Sequence, residues 1–277
     1  MSKDNPETHN DLLTEILFSQ EGIGYVPMLS NTVKHGFSWG AKSGNMSFAW
    51  EADKTAVAER VTCFLTKLEM DPIEGTVNMT TEHGVNIVDI TDETFATAEI
   101  NNYGASIKCD AYFTKMEDLP LIVKPADCTV SIIYAETEDC EKVLGMVHAG
   151  RLGLDLQLPI KAISHLLHHY NVKPTSIVIG VIPTITKRRY YIRQFSELID
   201  PGGWEGYYEE KDGFYYLDFV GYLLGQYAVA GIKPSQIQAY DVDTYEGALR
   251  GETFSHRYWR EMEHKIPNGR MIVGAKL

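Results

Sequence analysis

The sequence predicts an α+β fold with mixed sheets, formed as a single compact domain over residues 1–277. Three observations predict it. Two segments carry a helical apolar period and a third reads as a helix ended by a glycine cap, short β-branched runs lie between and after them, and the two kinds of element alternate without the regular βαβ rhythm of a doubly wound parallel sheet. A chain of 277 residues can bury a substantial core. No repeat, heptad, low-complexity tract or Pro/Gly/Ser-rich linker divides it.

Taken in order, "ADKTAVAERVTCFLTKLEM" (52–70) sets Ala56, Val57, Val61, Phe64, Leu65 and Leu68 on one stripe and predicts a helix. The runs "VNIVDI" (85–90), "LPLIV" (119–123), "TVSIIY" (129–134) and "VLGMVH" (143–148) are rich in residues that suit a pleated, buried surface, and predict strands. The helical period returns in "LQLPIKAISHLLHHY" (156–170), with the helix starting near Pro159. "SIVIGVI" (176–182) reads as another strand. A third helix is expected at "DFVGYLLGQYAVAG" (218–231), ending on Gly231, where a left-handed cap is free of Cβ strain. "RMIVGA" (270–275) supplies the last strand.

Acidic residues outnumber basic ones 38 to 25, for a formal net charge of -13. Such a surface repels nucleic acid and anionic lipid, so neither is expected as a partner, and any bound phosphate needs a local basic pocket. The start, "MSKDNPETHNDLLTEIL", is polar and amphipathic and does not resemble a signal peptide; no run is long enough to span a bilayer. Cys63, Cys109, Cys128 and Cys140 form no CxxC pair, which argues against a disulfide framework and makes a cytoplasmic location the expectation.

The strands "TVSIIY" and "VLGMVH" are joined by "AETEDCEK". A parallel crossover needs a dozen residues or more, so an antiparallel hairpin is expected. A register with Tyr134 opposite Lys142 sets Cys128 opposite His148, with Cα atoms about 5 Å apart. A slip of one residue sends the two side chains to opposite faces. Three readings of a shared face remain open. The pair is packing filler, a Cys–His nucleophilic dyad, or part of a transition-metal site, most commonly zinc. His83 in "TTEHGVNIVDI" offers a third ligand before another predicted strand. Two histidines and a cysteine leave one tetrahedral position open, the arrangement of a catalytic zinc.

"TEHG", "CDAYFT", "PADCTVSIIY", "GMVHAGRLGL", "HGFS" and "ETFSHRY…NGRM" together resemble the laccase-domain family, in order from His35 to Arg270. That family is also called YfiH-like or multicopper polyphenol oxidase, and is described as zinc-dependent purine nucleoside phosphorylases. The resemblance implies layered mixed sheets in an α/β/β/α arrangement and metal ligands at His83, Cys128 and His148. It implies phosphorolysis of adenosine, inosine, guanosine or methylthioadenosine, with purine nucleoside and inorganic phosphate as the small-molecule partners, and adenosine deamination as a second activity. The older family name implies instead a copper-dependent polyphenol oxidase. Multicopper sites draw on His-x-His pairs, of which this sequence has none. A Cys–His thiol hydrolase or amidase without metal, and a catalytically weak metal-binding scaffold, are the remaining alternatives.

The substrate shell departs from the family pattern. "HAGWRG" reads "HAGRLG" here, with Arg151 and Leu152 in place of tryptophan and arginine, so either the guanidinium is displaced by one residue or anion binding is lost. "FSYRR" reads "FSHRY", keeping Ser255 and Arg257 but placing Tyr258 at the second arginine; "CTY" reads "DTY", with Asp243 for cysteine; Thr81 stands for a glutamine. Arg151, Arg257 and Ser255 are the candidates for substrate or phosphate binding, because a guanidinium recognises oxyanions in a bidentate manner. Asp127 is a catalytic candidate that orients a ligand or accepts a proton, with a turn carboxylate as the plain alternative. Asp110 carries the same two readings. Arg270, after "NG", reads as a turn residue. His165, His168 and His169 share one predicted helix with no cysteine or carboxylate at matching spacing, and are expected to face solvent.

Overall fold

In the computed structural model, which describes residues 13–14, 17–18, 22–40, 43–70 and 75–277, the chain follows one order of short strands and helices. The strands are β1 (Leu13–Thr14), β2 (Leu17–Phe18), β3 (Ile23–Tyr25), β4 (Lys34–Ser38), β5 (Val77–Thr80), β6 (Ile87–Ile90), β7 (Glu99–Asn101), β8 (Gly104–Lys108) and β9 (Ala111–Thr114). After them come β10 (Leu121–Val123), β11 (Thr129–Glu136), β12 (Lys142–Ala149), β13 (Val178–Val181), β14 (Tyr191–Ile192), β15 (Tyr208–Lys211), β16 (Phe214–Leu217), β17 (Ile237–Tyr240) and β18 (Val273–Lys276). The α-helices are α1 (Lys54–Lys67), α2 (Asp92–Ala96), α3 (Arg151–Asp155), α4 (Leu158–His169), α5 (Phe219–Val229), α6 (Thr244–Leu249) and α7 (His256–Glu261). The rest of the start "MSKDNPETHNDLLTEIL", beyond β1 and Leu17, lies outside the described residues.

Two large mixed sheets result, ordered β1-β17-β13-β11-β12-β9-β6 and β2-β3-β4-β18-β10-β5-β8-β7, with a small antiparallel sheet β14-β16-β15 beside them. The period of two along the central hairpin decides the layering. Val130, Ile132 and Tyr134 of β11, with Leu144 and Met146 of β12, pack between the sheets against Val77, Leu121 and Val273. Alternate residues Ile133, Val143 and Val147 turn the other way, against Leu158, Ile163 and Leu166 of α4 and Leu223 and Tyr227 of α5. On the far side α1 covers the second sheet with Val57, Val61, Phe64 and Leu65 against Ile122 and Ile272. The expected helix–sheet–sheet–helix order is therefore present in one domain.

Each predicted helix and strand forms within a few residues of its expected limits. α1 starts because the Asp53 carboxylate accepts the Ala56 N–H at 3.0 Å, and α5 stops at Gly231, whose φ is +88°. One expectation needs correction. Glu136, not Tyr134, lies opposite Lys142, and Val130 lies opposite His148. The strands run into the acidic loop and shift the pairing by two residues. A shift of two preserves facing, so Cys128 and His148 remain on the same side as diagonal neighbours. The β15–β16 hairpin was not anticipated, although its Asp212-Gly213 turn, with φ of +53° and +76°, is a recognised hairpin signal. No helix among the described residues is long and apolar enough to cross a membrane.

Candidate metal centre

Three separate pieces of backbone converge at one end of the layer between the sheets. Cys128 immediately precedes β11, and His148 is the penultimate residue of β12. Asp110 lies just before β9 and extends its pairing with β12, since the His148 N–H donates to the Asp110 carbonyl at 2.8 Å. The period of two places Asp110 with Tyr112, His148 with Met146, and Cys128 with Val130, all on the inter-sheet side. His83 arrives from the other sheet, on the loop after β5.

That loop is held by one buried carboxylate. Asp110 Oδ1 accepts the N–H groups of Glu82 at 3.1 Å and His83 at 2.7 Å, and Oδ2 accepts the Gly84 N–H at 2.8 Å. His83 adopts φ +60°, a left-handed conformation that is unfavourable for a residue with a Cβ and here is offset by these charge-assisted bonds. Burial raises the Asp110 carboxyl, and the His148 imidazole with the Gly84 and His83 N–H groups outweighs it, leaving the group below its ordinary value. Asp110 thus sets the direction of one ligand and lies 3.8 Å from Nδ1 of another.

The ligand-type atoms of His83, Cys128 and His148 lie within 4.8 Å of one another. The two imidazole rings meet edge to face, with centroids 5.2 Å apart. Burial by itself raises the Cys128 thiol; His148 and His83 outweigh it and pull the thiol well below its ordinary range. The same contact acts in reverse on His148, which burial lowers and Cys128 and Asp110 push up. A thiolate and two imidazoles form a borderline-soft donor set suited to zinc, with three protein ligands and one position left open. Two further observations agree with a missing partner. His148 Nδ1 is buried without a hydrogen bond. A Cβ added at Gly150 would lie 2.9 Å from Cys128 Sγ and 3.5 Å from His83 Cδ2, so only glycine leaves this space clear.

The cluster opens into a cavity of about 270 Å³ whose wall includes Arg151, Arg257, Arg260, His256, Tyr190 and Phe219. Arg151, the displaced guanidinium of "HAGRLG", does reach this wall, donating to the Glu197 carbonyl and lying 3.6 Å from Asp155. Arg257 donates to Glu261 at 2.9 Å and to the Tyr191 carbonyl at 2.8 Å, and stacks over the Tyr191 ring at 4.0 Å. Ser255 is brought near but does not line the cavity. Its hydroxyl donates to Asp127 and accepts the Tyr258 N–H, capping α7.

Asp127 lines the cavity with a carboxylate already engaged by three donors: Thr244 Oγ1 at 2.7 Å, Ser255 Oγ at 3.0 Å and the Arg257 N–H at 2.7 Å. Burial raises its pKa against those bonds. The side chain ties the start of β11 to α6 and α7. Asp243, at the family's cysteine position, caps α6 and accepts from Thr186, so it serves the framework. Sequence reasoning missed Arg260 and His256. Arg257 and Arg260 are spaced i, i+3 on α7, the spacing of neighbours on one helix face, and that signal was present.

Replacing Asp110 with asparagine should weaken metal binding at this cluster by about 10–100-fold, the usual cost of losing a group that orients a metal ligand. Competition with a chromophoric chelator would measure it. An unchanged affinity would show that the His83 loop is held without this carboxylate.

Residues 28–277 match the family model described as multi-copper polyphenol oxidoreductase laccase. Among solved structures, the Bacillus licheniformis hypothetical protein YfiH superposes with a TM-score of 0.78 at 19% identity, covering 95% of this chain and 98% of that one. YlmD from Geobacillus stearothermophilus gives 0.77 at 20% identity, with 94% and 98% covered. A DUF152 protein of Neisseria meningitidis gives 0.70 at 16%, with 95% and 99% covered. No curated protein matches the chain.

Proposed function

The chain belongs to the multi-copper polyphenol oxidoreductase laccase family, and from that premise we propose that it is a zinc-dependent purine nucleoside phosphorylase with adenosine deamination as a second activity. One observation carries the reading. In a chain of net charge -13, the cavity beside the His/Cys/His cluster is walled, among the described residues, by three arginines and two histidines against a single carboxylate, that of Asp127. Low-dielectric walls of one sign concentrate ions of the other, and phosphate is the anion this reaction consumes.

His83, Cys128 and His148 would hold the metal, which supplies Lewis acidity and lowers the pKa of water. The remaining steps belong to the protein. Arg151, Arg257 and Arg260 hold the phosphate dianion in line with the sugar, where it stabilises the positive charge that grows on the ribose as the glycosidic bond breaks. Tyr190 and Phe219, with ring centroids 4.4 Å apart, offer an apolar face for the base. Asp127 and Ser255 act by position, fixing the backbone of Arg257. Adenosine, inosine, guanosine and methylthioadenosine are the proposed substrates.

The test uses metal-assayed protein with each nucleoside, with and without phosphate, and identifies the products. Ribose 1-phosphate formed only with phosphate is the expected result. Arg257→Ala should raise the phosphate KM by about 10–100-fold, the worth of one charge-assisted contact of about 1.5–3 kcal/mol, while phosphate-independent deamination is retained. Free base released equally well without phosphate would overturn the assignment.

A second reading rests on the closeness of the Cys128 thiol to His148, their ligand-type atoms lying within 4.8 Å, a pair that a thiol hydrolase or amidase would also use. Iodoacetamide labelling of Cys128 at the same rate with and without zinc would favour it.

A further inference from the structure

The histidines of α4 do not simply face solvent. Only His168 fits that expectation without qualification; His165 and His169, one turn apart, meet a carboxylate brought from a distant part of the chain. Asp89 of β6, the edge strand of the first sheet, places its Oδ1 2.8 Å from His165 Nε2 and its Oδ2 3.1 Å from His169 Nε2. Sequence spacing could not show this, because the carboxylate stands 76 residues before His165. We infer that Asp89, His165 and His169 form a second divalent-cation site, separate from the His83/Cys128/His148 cluster.

Several features favour a site over an incidental ion pair. The ligand-type atoms lie within 4.8 Å of one another. Both histidines present the same nitrogen, Nε2, from an i, i+4 pair, the helical spacing that puts two imidazoles side by side. Their rings are nearly parallel, with centroids 4.7 Å apart and planes 16° apart. His165 is held in place against the buried Phe113 ring at 5.6 Å. The Tyr170 hydroxyl donates to Asp89 Oδ1 at 2.7 Å, the kind of outer contact that fixes a ligating carboxylate. The nearby Lys115 ammonium is paired with Glu141 at 2.5 Å, which reduces its competition for Asp89.

Two imidazoles and one carboxylate select a borderline transition ion, such as zinc, cobalt or nickel, over magnesium or calcium. A bound ion would take lone pairs of the two Nε2 atoms and of the Asp89 carboxylate, and water would complete its shell. It would join the edge strand β6 to α4. An ion that binds only the folded chain stabilises it.

Cobalt(II) titration of the metal-free full chain separates the two sites. The wild type should take up two equivalents, one giving a thiolate charge-transfer band from Cys128 and one without it. His169→Ala should lose the second equivalent and keep the thiolate band. His169 is mostly exposed, so this variant is expected to fold, which circular dichroism checks. Cys128→Ala should keep the second equivalent and lose the band. Tyr170→Phe should weaken the second equivalent by about 10-fold or more. Wild type saturating at the thiolate site alone, or His169→Ala binding as much cobalt as wild type, would overturn the inference. Absence of the thiolate band would count against the first site and leave this one standing.

Discussion

Cys128→Ala is expected to remove both bound zinc and nucleoside turnover. The thiolate is the anionic member of the donor set; without it only two imidazoles remain, one on an exposed loop. Loss of an outer orienting group alone costs about 10–100-fold in affinity, so loss of a ligand should exceed about 100-fold. Turnover should fall to the uncatalysed level. A thermal readout gives an independent check. Zinc at about 100 times its Kd stabilises a folded chain by about 2.7 kcal/mol, and the rise in Tm that zinc produces through this cluster in the wild type should vanish in the variant. Full zinc content at His83, Cys128 and His148 after the substitution would end the proposal.

The second large effect is expected from Asp127→Ala, and it is one of stability. The substitution leaves the Arg257 N–H without its acceptor and forces the buried hydroxyls of Thr244 and Ser255 to seek others. An unsatisfied buried donor costs about 1–3 kcal/mol. Asp127 also has φ +81°, which alanine tolerates less well than aspartate, at about 1–2 kcal/mol. A total loss of about 2–5 kcal/mol follows, or about 10 °C in Tm for a chain of this size. Asp127→Asn keeps the tolerance for this backbone and part of the acceptor set, so it should lose markedly less. A denaturation curve for the alanine variant within a degree or two of wild type would show that the network carries little energy.

The helices α1 and α4 were legible because burial of one stripe leaves a period in the sequence, and α1 buries Val57, Val61, Phe64 and Leu65 as that period requires; α5 is buried nearly all round and was marked instead by its glycine cap. The central hairpin was legible for a similar reason. Its register was not, since the acidic loop gave no sign that pairing continues to Glu136 and Lys142. The short strands β3, β7 and β14 carry too few residues for any period to show. Arg151 was marked by its place beside the histidine motif and Arg260 by its i, i+3 spacing from Arg257, whereas the cavity that gathers them with His256 forms only where α7 meets the start of β11.

By itself the sequence determined which way the hairpin residues face and which donor types are at hand, because facing follows from a period of two and ligand chemistry follows from residue type; the layered order came only with the family resemblance. The tertiary structure alone decided which donors meet. Asp110 holds His83 across two sheets, and Asp89 finds His165 and His169 from an edge strand. Such meetings depend on how far apart the chain is in space, a distance that separation along the sequence does not record.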